Sequence, residues 1–186
     1  MSRSEAEVVD DYLRWLDAAP RDRTDRRRLD APVLALQSTA VADPDPFRRA
    51  RCLAVLDHVA NESSTHVFLT ALDDPVADVR RHAVHGLTCE RCRTPDMCLV
   101  DVVPAVTTAL ASEPDAEIRH QLVTVLGRFA PRNSAAREAL DDVATDDPDP
   151  LVRAAASSVL ATGHTRSRKA MQRLARTTDR RRRRVG

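Results

Sequence analysis

The sequence holds 186 residues, 42% hydrophobic, 3% aromatic and 31% charged, with four glycines and a formal net charge of +1. A chain of this length can bury a sizeable core, but so few aromatics and glycines exclude a ring-stacked core and a β-rich fold with its many glycine turns. What remains is an all-α fold cored by Ala, Val and Leu. No segment approaches the roughly 20 apolar residues that span a bilayer, and the N-terminal MSRSEAEVVDDYLRW lacks the basic-then-apolar layout of a secretory leader, so a cytoplasmic location is expected.

In chain order, residues 4–18 are the first predicted helix, with Val8, Val9, Tyr12, Leu13, Trp15 and Leu16 as its apolar positions. With the basic linker that follows, they make an N-terminal capping region, residues 1–30, that closes one end of a helical array. Residues 31–42 read as a helix leading into Asp43-Pro44, where a pattern begins that occurs four times: DPDPFRRARCLAVL from Asp43, DPVADVRRHAVHGL from Asp74, EPDAEIRHQLVTVL from Glu113 and DPDPLVRAAASSVL from Asp147. Each copy opens on an acid and a proline. An arginine follows five residues after the proline (Arg49, Arg80, Arg119, Arg153) and a leucine twelve after it (Leu56, Leu87, Leu126, Leu160).

Successive prolines are 31, 39 and 34 residues apart, the range of two-helix repeats. Proline disfavours helix in the residue before it and fits the first helical turn, and the acid suits the positive end of the helix dipole, so each acid-proline pair starts a second helix. Apolar residues then recur at helical spacing, as in Val79, Ala83, Val84 and Leu87, or Ile118, Leu122, Val125 and Leu126. The partner helices are predicted at 64–72, 99–111 and 134–144.

The pattern DPxxxVRxxAxxxL resembles the second helix of HEAT and HEAT-like repeats of the PBS-lyase type, over about residues 31–163. The resemblance implies a short α-solenoid of about four stacked antiparallel helix pairs. It also implies that the acid and arginine columns, Asp74, Arg80, Asp147, Arg153 and their equivalents, stack as a ladder between repeats and serve structure rather than ligand binding.

The 39-residue interval is eight longer than the first, and HAVHGLTCERCRTPDMC lies within it. Cys89, Cys92 and Cys98 fall within ten residues, just beyond a helix carrying His82 and His85, with His85 one turn before Cys89. Thiolates and imidazole at such spacing suit a tetrahedral Zn²⁺ site with Cys89, Cys92, Cys98 and His85 as ligands and His82 as alternate or supporting group. Four protein ligands leave no open position, so such a zinc is structural. A single CxxC leaves three other readings open: unligated packing thiols, a redox pair or an Fe–S cluster. Cys52, on an apolar face with Val55 and Leu56, reads as a buried small hydrophobe and not a site.

After Gly163 the chain is strongly basic: residues 164–186 hold ten Lys or Arg against Asp179 alone, a charge of +9, which leaves about −8 on residues 1–163. Arg166, Arg168, Lys169, Arg173 and Arg176 share a short stretch with Ala170, Met171, Leu174 and Ala175, patterned as a basic helix over 166–176. The run Arg180, Arg181, Arg182, Arg183 and Arg184 offers charge for nucleic-acid phosphates, an acidic partner or an anionic membrane surface, or folds back on the acidic body. Without aromatics to stack on bases, any nucleic-acid binding there is non-specific and salt-dependent.

The sequence has no phosphate loop, nucleophile elbow or HExxH, and its six histidines show no paired-carboxylate arrangement. It also lacks the repeated His-Glu pairs of the di-iron hydroxylase built on HEAT repeats and the aromatic cleft of the alkylbase glycosylases of that fold. The expectation is a non-catalytic scaffold that presents a groove to another protein, with no cofactor beyond a structural zinc. A nucleic-acid-associated module using the tail is the first alternative, and a metal-dependent or redox enzyme on a repeat frame the second. A single Lys beside abundant Arg, Ala and Asp points to a GC-rich bacterial genome.

Overall fold

The computed structural model of the chain describes residues 4–18, 32–59, 62–88 and 101–162. The segment Cys89–Cys98, with all three cysteines of the expected zinc site, and the tail from 163 onward lie outside the described residues. Every regular element among the described residues is helical, and the chain divides into two compact units, residues 1–101 and 102–186.

The first unit opens with α1 (Glu5–Ala18). Ser4 and Glu7 close its start as a capping box: the Ser4 N–H donates to Glu7 Oε2 at 2.8 Å and the Glu7 N–H donates back to Ser4 Oγ at 3.3 Å. Two helix pairs follow, α2 (Val33–Ala42) with α3 (Pro46–Val59), and α4 (Glu62–Thr70) with α5 (Ala77–Thr88). First helices pack on first helices and second on second, α2 on α4 and α3 on α5. The helix predicted at 64–72 ends its α-helical part at Thr70 and tightens into a 3₁₀ turn over Ala71–Asp73.

The second unit repeats the arrangement with α6 (Val103–Ser112), α7 (Ala116–Phe129), α8 (Ser134–Asp146) and α9 (Pro150–Thr162). Here α6 packs on α8 and α7 on α9. Helix α6 starts at Val103, later than the predicted 99–111, because Pro104 has no N–H to give an inner turn and therefore sits in the first one. Asn133 caps α8 by accepting the Ala136 N–H at 3.0 Å, and α8 continues to Asp146, two residues past its predicted end.

The cores are aliphatic, as composition requires. Val79, Ala83, Val84, Leu87, Ile118, Leu122, Val125 and Leu126 are fully buried, and Phe68 is the largest fully buried side chain. Of the six apolar positions of α1, Val9 and Leu13 are buried, while Trp15 is 41% exposed and stacks on Tyr12. Arginines of α3 hold α1 in place: Arg48 pairs with Asp10 at 3.0 Å, and Arg51 pairs with Asp17.

Candidate functional site

The acid-proline turns share one construction. The first acid accepts a backbone N–H two residues on: Asp43 from Asp45 at 2.9 Å, Asp74 from Val76 at 2.9 Å, Glu113 from Asp115 at 2.9 Å and Asp147 from Asp149 at 2.8 Å. The column arginine then folds back over its own turn, its Nη1 donating to the carbonyls of the acid and the proline. This holds for Arg49 on Asp43 and Pro44, Arg80 on Asp74 and Pro75, Arg119 on Glu113 and Pro114, and Arg153 on Asp147 and Pro148. The acid is the C-cap of the preceding helix and the proline lies just beyond it, so the guanidinium satisfies two carbonyls of the turn.

The rest of the guanidinium reaches the next helix pair of its own unit. Arg49 grips Asp74 with Nε–Oδ2 2.7 Å and Nη2–Oδ1 2.9 Å, and Arg119 grips Asp147 with 2.8 and 3.0 Å. Both are bidentate, the strongest form of the pair, and both are nearly buried. These arginines are committed to the frame. Arg153, in the last described pair, makes the backbone contacts, but no acid among the described residues takes its outer donors.

Burial by itself would push the Asp74 carboxyl up. Hydrogen bonds from Arg49 and the Val76 N–H, with the charges of Arg49 and Arg80, outweigh it and hold the group below the usual carboxylate value. A depressed folded-state value means stability that is present above the unfolded pKa of about 3.9 and lost as pH falls through the folded one. We therefore expect the melting temperature of the first unit to fall below about pH 4, and the Asp74→Asn variant to show a flatter acid limb from a lower starting stability.

At the end of α5 the sequence-predicted ligand His85 is exposed, its Nε2 lying 3.5 Å from Oδ2 of Asp57 on α3. Asp57 is 4% exposed, and its Oδ1 has no hydrogen-bond partner among the described residues. The buried carboxylate thus faces the imidazole at the length of a weak contact. Sequence reasoning missed Asp57, because nothing in its spacing marks it: it is one residue past the column leucine Leu56, and 28 residues separate it from His85. His82 is half-buried, 4.0 Å from Asp78, and burial lowers its pKa despite the nearby carboxylates. Cys52 has no exposed surface, and burial pushes its thiol up to about 12, which makes it inert in the folded protein. Among the described residues no three His, Cys, Asp or Glu side chains gather as a metal site.

The second unit carries a cleft of about 530 Å³ lined by α6, α8 and the turns that follow them. Leu110, Ala111, Ala139 and Val143 supply apolar walls, while Asp142 and Asp146, one turn apart on α8, are exposed acids at its edge. The lining carries four acids, Glu113, Asp142, Asp146 and Asp147, against Arg119, so acidic groups outnumber basic ones around the cleft. Composition announced an acidic body. The arginine run 180–184 lies outside the described residues.

Stacked helix pairs, first helix on first and second on second, each joined by an acid-proline turn under a folded-back arginine, define an all-α repeat protein. Two overlapping matches to the family model for HEAT repeats, over residues 65–161 and 103–185, agree, and the chain belongs to the HEAT-repeat family. Comparison with curated proteins and with solved structures finds no match.

Proposed function

We propose that this protein is a non-catalytic repeat adaptor whose second unit holds a basic, partly apolar segment of another protein. The cleft between α6 and α8 supports this reading: its walls are aliphatic and its edge carries Asp142 and Asp146. Selection from a displayed peptide library tests it. The native protein should enrich sequences with Arg or Lys beside aliphatic residues. The Asp142→Lys/Asp146→Lys variant should not, whereas a matched Glu5→Lys/Asp11→Lys control on the exposed side of α1 should behave as native. Equal enrichment by all three proteins would sink the reading.

Within the same scaffold, Cys89, Cys92, Cys98 and His85 hold a structural zinc, and Asp57 orients His85 for it. The support is the spacing of the thiols and the buried carboxylate beside the imidazole. Elemental analysis should find about one zinc per chain, and a chelator should release three reactive thiols while Cys52 reacts only after unfolding. Cys92→Ser should lower metal content and thermal stability together, and Asp57→Ala should weaken zinc binding by about 10–100-fold. No metal, or unchanged stability in Cys92→Ser, removes the site without touching the cleft.

The charge of +9 on residues 164–186 favours a second reading, in which the tail adds sequence-independent nucleic-acid affinity. Retention on DNA at low salt that is steeply lost with added salt and with deletion of 165–186 supports it, and a full chain that never binds at low salt excludes it.

A further inference from the structure

Phe47 stands outside the core of its own repeat. It lies in the first turn of α3 with 69% of its surface exposed, where the same column of the other turns holds Asp78, Glu117 and Leu151. Asp78 and Glu117 are exposed acids, which suit the positive end of a helix. A ring in that place forgoes the dipole benefit and buries little of itself in return.

Further along the same helix lies a hole that such a ring fits. Between α1 and the second half of α3 is a pocket of about 240 Å³, with Tyr12, Leu16, Ala54, Val55 and Val59 as its apolar lining. A cavity of about 150 Å³ is already enough for a benzene molecule. Phe47, Arg51, Ala54 and His58 follow one another at steps of four, three and four residues, so the ring and the pocket wall share one stripe of α3. From Phe47 to Val55 the helix rises about 12 Å, too far for the ring to fill the pocket of its own chain.

Charge is arranged in the same sense. Asp45, two residues before the ring, accepts the Phe47 N–H at 2.9 Å and joins no ion pair among the described residues. The pocket is lined by Arg51 and His58 against one acid, Asp17. Among the described residues Arg51 bonds through Nη2 alone, to the Leu13 carbonyl at 3.2 Å and to Asp17, which leaves Nε and Nη1 to an incoming carboxylate.

We propose that the exposed stripe of α3 is the docking site of a second copy of this chain. Two α3 helices pair antiparallel about a twofold axis, each Phe47 entering the α1–α3 pocket of the other copy and each Asp45 coming to its basic rim of Arg51 and His58. A stripe with an acidic aromatic knob at one end and a basic apolar hole at the other is complementary to itself reversed, which is the condition for a closed, isologous dimer. Two aromatic anchors and one 14-residue helix per copy fall at the small end of specific interfaces, about 1,200 Å² in total, so the dimer should be micromolar and reversible.

Sedimentation equilibrium of the full chain over a range of concentrations tests this. The native protein should pass from monomer to dimer and stop there. Phe47→Glu, which gives α3 the first-turn acid that α5 and α7 have, should melt no lower than the native monomer and raise the dissociation constant at least about tenfold. Ala54→Arg, which fills the pocket from its wall, should weaken the dimer as much, and Leu34→Glu on the exposed side of α2 should leave it unchanged. A native chain that stays monomeric up to about 1 mM overturns the proposal. So does association unmoved by Phe47→Glu or by Ala54→Arg, growth beyond the dimer, or loss of the dimer in Leu34→Glu, which would place the interface on α2.

Discussion

Arg119→Ala should cost the second unit about 3–5 kcal/mol, the penalty for removing one partner of a buried ion pair. The loss is more than the bond itself. Asp147 is 7% exposed and would stay behind as an uncompensated charge, and the carbonyls of Glu113 and Pro114 would lose the donor that folds over them. Replacing both charges, Arg119→Met with Asp147→Leu, should cost less than the single change, because no buried charge is stranded. The backbone bonds from Arg119 and the Asp149 N–H that Asp147 accepts would still be lost. Denaturant unfolding of the three proteins measures this. A single variant within about 1 kcal/mol of native would show that Asp147 finds solvent or another cation, and the ladder would then be ornament to the hydrophobic packing.

The ladder was legible in sequence to the extent that its logic is local. An acid, a proline and an arginine five residues on act within one turn of chain, so four copies of the pattern reveal four turns. The direction of the long-range bond, each arginine to the following acid of its unit, depends on how pairs stack and has no trace in spacing alone. The same limit explains Asp57. A carboxylate beside Leu56 reads as an ordinary polar position until α3 is packed on α5 and His85 arrives beside it. Trp15 fails differently: helical spacing put it with the apolar residues of α1, but the buried strip is only as wide as Val9 and Leu13, and Trp15 lies outside it. The cleft was readable only as a charge of about −8 spread over residues 1–163, because its walls come from two helices some thirty residues apart.

Phe68→Ala should be the most damaging apolar truncation in the first unit, about 3–5 kcal/mol, since the ring is fully buried and its loss leaves a void in a packed interior. The contact that makes it so is with a glycine. A Cβ on Gly86 of α5 would collide with the Phe68 ring, as one on Gly127 of α7 would come within 2.7 Å of Val159 Cγ1. In a helix interior Gly→Ala ordinarily stabilises by about 1 kcal/mol. At Gly86 the sign should reverse, to a cost of about 1–3 kcal/mol, because the methyl has to displace a fully buried aromatic ring rather than the end of a flexible chain. The two substitutions should therefore couple. With Phe68 already cut to alanine, the Gly86 methyl enters vacated space and regains its helix-propensity benefit, so the double variant should be more stable than Phe68→Ala alone. Thermal or denaturant unfolding of the four proteins in the cycle reads this directly. Additive effects would mean that the ring moves aside at little cost, and the close approach of α4 and α5 would then owe nothing to the glycine.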